Sequence, residues 1–193
     1  YLLNNPIGVT KNVTILSQSG PDDTIVDLQY NFGSVFYVFP MQTGPTIQGL
    51  TIKRGLAAGT GAGAGVYAYK ASPTILNNLF CGNLAGNIEG EGGLGAAIAI
   101  FVGNPVIQHN SLVGNESGGG ALFLSQCGGT VDHNVVAYNS DGHIGSTDGF
   151  GLDCSNSTTE IHDNIFWANA PGQIDPLCST ALPANGNITL DPK

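Results

Sequence analysis

The feature that most constrains this chain is an internal repeat. Segments starting at Ile75, Ile107, Val131 and Ile161 each carry an aliphatic anchor, Asn at +3, an apolar residue at +5 and Asn at +8. The asparagines are Asn78 and Asn83, Asn110 and Asn115, Asn134 and Asn139, and Asn164 and Asn169. A second element stands nine residues before each anchor: Val66, Ile98, Leu122 and Leu152, each preceded by a small residue and followed by alternating apolar positions. Val38 and Ile47 extend the series one coil earlier, where GLTI at 49–52 replaces the Asn motif.

The offset of nine is constant, but the distance between coils is not. Val38, Val66, Ile98, Leu122 and Leu152 are separated by 28, 32, 24 and 30 residues. The length differences fall in one loop after the +8 Asn, at 84–96, 116–120 and 140–149. A rigid cross-section with one variable loop is how a solenoid absorbs insertions. Strand side chains alternate, so every second residue fills a narrow core, and each strand pairs with its equivalent about 4.8 Å away in the next coil. Asn and Gly suit the tight turns between strands, where left-handed backbone is needed. Stacked Asn can also bond from coil to coil. A helical reading fails, because Gly and Asn interrupt each apolar run before a second turn. The pattern predicts an all-β, parallel β-helix of about six to seven coils, one domain over 1–193.

Composition agrees and narrows the function. Charged residues make up 10% of the chain, against ~25% in ordinary domains. Net charge is −9 with five basic residues. Nucleic acid is excluded as a partner, because phosphate contacts need clustered Lys and Arg. A polyanionic sugar is repelled unless a cation bridges it. The one basic pair, Lys53 and Arg54, reads as a solvated surface pair. No apolar run is long enough to insert in a membrane. The first residues already read as strand, without a capping segment, which suggests a fragment of a longer protein lacking its end caps.

The four cysteines show no CxxC spacing, so a zinc site is not expected. Cys127 to Cys154 and Cys154 to Cys178 are 27 and 24 residues apart, each near one coil. The spacing favours a Cys154–Cys178 disulfide; free buried thiols are the equal alternative.

The whole pattern resembles the pectate-lyase-like superfamily of right-handed parallel β-helices, with three-strand coils and an internal Asn ladder. Within it, the closest likeness is to secreted bacterial β-helix repeat proteins, which contain stretches like KNVTILS at 11–17, GPDDTIVD at 20–27, IQGLTI at 47–52 and GNITLDP at 186–192. The resemblance implies a secreted or cell-surface location. It is specific for fold and poor for function, since the superfamily includes lyases, hydrolases, epimerases and adhesins.

Three places can carry function. If Val66, Ile98 and Leu122 point inward, then Phe39, Met41, Tyr67, Tyr69, Phe101, Phe123, Asp153 and Ser155 point outward and stack into an aromatic strip. Rings of this kind pack against sugar faces, and a neutral polysaccharide is the expected ligand; the alternative is that a loop or second chain covers them. Second, Asn77, His109, His133 and Asp163 share position +2, and Gln108, Asp132 and His162 share +1, so Asp132, His133, His162 and Asp163 cluster on adjacent coils. Such pairs serve as general bases or metal ligands, or simply as turn polarity. Third, the loop with Asp141 and Asp148 offers oxygen ligands for Ca²⁺, although it lacks an EF-hand pattern and reads equally as a plain surface loop; the loop with Glu89 and Glu91 is alike.

No enzyme signature is complete. The leading-strand face carries Asp153 but no Lys or Arg except Lys70 at its edge, where lyase relatives place a basic residue among acidic calcium ligands. The several-Asp set of polygalacturonase relatives and the Asp-Pro-His triplet of epimerase relatives are missing, and there is no Gly-x-Ser-x-Gly or phosphate loop. The expectation is a non-catalytic β-helix domain that binds carbohydrate or acts as a scaffold, with no resident cofactor. A polysaccharide lyase or hydrolase and a structural adhesin segment are the alternatives.

Overall fold

Inward aliphatic residues recurring once per coil can only be buried if the coils stack, and they do. The computed structural model describes residues 1–41, 43–59, 61–86, 93–141, 150–178 and 185–190. It is an all-β parallel solenoid, with every named strand pair parallel. The first sheet stacks Ile7–Val9, Phe36–Val38, Val66–Tyr69, Ile98–Gly103, Leu122–Cys127, Phe150–Ser155 and Gly172–Ile174. The second stacks Thr14–Leu16, Thr46–Gln48, Thr74–Leu76, Val106–Gln108, Thr130–Asp132 and Glu160–His162. The third runs from Ile25–Asp27 through Thr51–Lys53, Leu79–Cys81, Ser111–Val113, Val135–Ala137 and Ile165–Trp167 to Ile188–Leu190.

Six strands in the second sheet enclose five turns, so the solenoid makes about five turns. The expected six to seven counted stacked layers instead of the turns between them. A fourth, narrow sheet of Leu56–Ala57, Leu84–Ala85 and Glu116–Ser117 was not expected from three-strand coils.

The anchors form one column. Ile47, Ile75, Ile107, Val131 and Ile161 are in register and buried to within 1%. Val66, Ile98, Leu122 and Leu152 form a second buried column. Each fully buried Val, Leu or Ile contributes about 1.5–3 kcal/mol. The earlier coil departs from the expected register. Phe36, not Val38, pairs with Val66, and Val38 pairs with Ala68. From Phe36 to Ile47 is eleven residues, so two additional residues lie between these strands.

Left-handed backbone occurs one residue before the asparagines, not on them. Asn77, His109, His133 and Asp163 have φ of 53°, 56°, 55° and 55°. The residue before the second Asn is also left-handed: Gly82, Gly114, Tyr138 and Ala168 have φ of 60°, 63°, 54° and 50°. The asparagines themselves are buried and bonded from turn to turn.

Candidate functional site

Because strand side chains alternate, the first sheet turns one set of residues outward, and parallel register stacks them turn over turn. One outward row runs Gly8, Tyr37, Tyr67, Ala99, Phe123 and Asp153. Its neighbour runs Tyr69, Phe101, Ser125 and Ser155. Ring centroids are 4.7 Å apart for Phe39 and Tyr37, 4.9 Å for Tyr37 and Tyr67, 5.7 Å for Tyr67 and Phe101, and 5.3 Å for Phe101 and Phe123. Five rings therefore make one continuous run. It crosses to the second row at Phe101, where Ala99 supplies no ring. Phe39 leans over Gly8: a Cβ there would stand 3.2 Å from its Cε2.

The strip is open at one end and closed at the other. Tyr37, Phe39 and Tyr69 are exposed by 37%, 42% and 38%, Tyr67 and Phe101 are half-buried, and Phe123 is buried at 7%. Of the expected ligand-binding rings, Phe123 is the one withdrawn from solvent. Tyr37 was missing from the expected strip because the register there was taken two residues late. The same shift placed Met41 outward, whereas it is half-buried and packs against the core. Burial pushes the Tyr67 phenol above its ordinary pKa, and Tyr37 and Tyr69 add to the shift, so its hydroxyl stays protonated. At the rim, Lys70 Nζ lies 5.2 Å from the centre of the Tyr69 ring, within cation–π range.

A hollow of about 490 Å³ opens beside Tyr37 and Tyr67, bounded by Phe32, Ser34, Ala58 and Ala62. Phe32 is 76% exposed at its edge.

The polar column assembles as two separate pairs. His133 Nδ1 is 2.9 Å from Asp132 Oδ2, and His162 Nδ1 is 2.9 Å from Asp163 Oδ2. Asp132 and His162 face each other across adjacent strands. His109 and His133 stack with centroids 5.1 Å apart. The second sheet and the turn after it carry both pairs, whereas Asp153 stands on the first sheet beside Phe123. An aspartate oxygen thus engages Nδ1 of each ring. A hollow of about 390 Å³ adjoins Glu160, Ile161, His162 and Asn185.

Among the described residues, no group of three or more His, Cys, Asp or Glu side chains is arranged to hold a metal ion. Asp141 is described, and Asp148, Glu89 and Glu91 lie outside the described residues. Cys154 and Cys178 form a disulfide with Cα atoms 5.2 Å apart. Cys81 and Cys127 are free thiols, and burial raises the pKa of both.

The Lys53–Arg54 pair is not merely solvated. Arg54 Nε donates to Asp27 Oδ1 at 2.8 Å, its Nη2 donates to Asp27 Oδ2, and Lys53 Nζ is 3.7 Å from the same oxygen. Asp27 sits one turn earlier, opposite Lys53, and is 3% exposed. A carboxylate so buried requires a countercharge. The Arg54 guanidinium holds the Asp27 carboxyl below the usual carboxylate range.

The chain matches no family model, no curated protein and no solved structure.

Proposed function

We propose that the protein is a secreted or cell-surface right-handed parallel β-helix of the pectate-lyase-like type, with Asn-ladder turns, that binds a neutral polysaccharide along its first sheet. The observation that carries this reading is the unbroken run of rings from Phe39 through Tyr37 and Tyr67 to Phe101, accessible at its Phe39 end. Stacked rings with few charges around them offer an apolar surface to sugar faces at low entropic cost, since each ring has two side-chain torsions. The disulfide supports export, because such bonds persist in oxidising compartments. The net charge of −9 favours neutral over anionic glycans.

The test is a glycan array followed by titration calorimetry on wild type, Tyr37→Ala and Tyr67→Ala. Each substitution weakens binding about 2- to 13-fold, the worth of ~0.5–1.5 kcal/mol for one aromatic contact. Phe123→Ala is unsuitable as a binding probe, since loss of a buried ring costs about 3–5 kcal/mol of stability. A protein that binds no glycan on the array ends this reading.

A further inference from the structure

We infer that the strip takes a single, soluble glycan chain bearing short neutral side branches, one of which seats in the hollow beside Tyr37 and Tyr67. This rests on the glycan-binding reading above and specifies its ligand.

The ring planes decide between a flat and a twisted ligand. Neighbouring planes are inclined by 55° for Tyr37 and Phe39, 28° for Tyr37 and Tyr67, and 40° for Tyr67 and Phe101. The face of a crystalline polysaccharide is planar, and only coplanar rings can lie on it together. Rings that turn at each step suit sugar units that turn at each step, as in one chain free in solution. The run is also narrow. Beyond Tyr67 its accessible part continues through a single ring, Phe101.

The hollow lies to one side of this line. The chain that follows the rings runs across the strands, along the solenoid axis. The hollow is bounded by Ser34, Ala58 and Ala62, which precede the first-sheet strands, so it sits lateral to that path. It adjoins both Tyr37 and Tyr67, which are one turn apart. A space lateral to the ring path receives a branch from the chain, not the chain itself. Among the described residues no charged side chain borders it, in a protein of net charge −9. The polar groups on offer are the Ser34 and tyrosine hydroxyls, and Phe32 gives a ring against which a branch sugar can lie.

Ala62 is one of the small residues lining the hollow. Ala62 pairs in parallel with Leu94 of the next turn. The equivalent position one turn on thus carries a leucine where this turn has an alanine.

The experiment compares matched linear and branched oligosaccharides of β-1,4-glucan, β-1,4-xylan and β-1,4-mannan by titration calorimetry, on wild type and Ala62→Leu. Circular dichroism melts confirm folding, and Ala58→Leu, at an exposed position, replaces the first variant if it does not fold. In wild type, the branched member of at least one pair binds about tenfold tighter. Ala62→Leu abolishes that preference and leaves the linear affinity unchanged. Equal binding within every pair, or a preference that survives in the leucine variant, overturns the branch site while the strip reading stands. Sedimentation with crystalline cellulose or chitin at the affinity of the soluble chains overturns the single-chain assignment. Absence of binding to every glycan overturns the strip reading and this inference with it.

Discussion

Asn110 Oδ1 accepts two hydrogen bonds from Asn78, one from its backbone nitrogen at 3.0 Å and one from its Nδ2 at 3.1 Å. Asn134 takes the same pair from Asn110, and Asn164 from Asn134. Asn78 Nδ2 also donates to Ile47 O, and Asn110 Nδ2 to Ile75 O, the carbonyls of core anchors one turn earlier. A parallel file joins Asn83, Asn115, Asn139 and Asn169. Each amide therefore closes the polar groups that the turn would otherwise bury without partners.

Replacing Asn110 by Ala removes the acceptor for Asn78 and the donor to Ile75 O. At about 1–3 kcal/mol for each buried group left without a partner, we expect destabilisation of at least ~3 kcal/mol, read as a fall in the urea midpoint. A midpoint close to wild type would show that water replaces the amide and that the bonds are not needed.

Asp27 makes stability depend on acid pH. Its pKa is lowered chiefly by the hydrogen bond from Arg54, with the backbone N–H of Gln29 and the charges of Arg54 and Lys53 assisting against burial. A depressed carboxylate contributes stability above its unfolded pKa, and this is lost as pH falls through the folded value. Wild type should exceed Arg54→Ala by a constant margin from neutral pH down to about 5, then converge with it below about 4. Thermal melts across this range check it, and a margin that does not shrink as pH falls below about 4 contradicts the assignment.

The Cys154–Cys178 bond closes a separation of 24 residues across the last turns. Cys154→Ala/Cys178→Ala should lose about 3 kcal/mol, the loop-closure entropy returned to the unfolded chain. Denaturant titration reads the loss directly. Equal stability of the oxidised protein and the double variant would remove the disulfide from the stabilising interactions.

Val102 has φ of 60°, where a β-branched residue is under strain of about 1–2 kcal/mol. Lys70, Gln126 and Asn156 occupy the same turn position with φ of 51°, 54° and 50°. Val102→Asn should therefore stabilise the protein by about 1 kcal/mol, because Asn tolerates this conformation. A lower melting temperature would mean that Val102 contributes more by packing than it loses to the backbone.

The register of most turns could be read from residue spacing, because an inward aliphatic column and a buried Asn each admit few substitutes. Val66, Ile98, Leu122 and Leu152 stack as their common offset indicates. The first sheet at Phe36–Val38 was misread, since Phe36 and Val38 are both apolar and both inward, and two additional residues before Ile47 made the wrong one fit. That slip by one alternation hid Tyr37 from the strip. Lys53 and Arg54 looked solvated because their partner, Asp27, is 26 and 27 residues away in sequence and adjacent only after one full turn.

The sequence by itself determined the solenoid: periodic burial and Asn at fixed offsets leave one way to stack the coils. Only the tertiary structure decided the site. Which rings touch, which remain exposed and where a hollow opens beside them depend on contacts between turns. There, Ala99 stands in register between Tyr67 and Phe123 and interrupts the row of rings without disturbing the repeat.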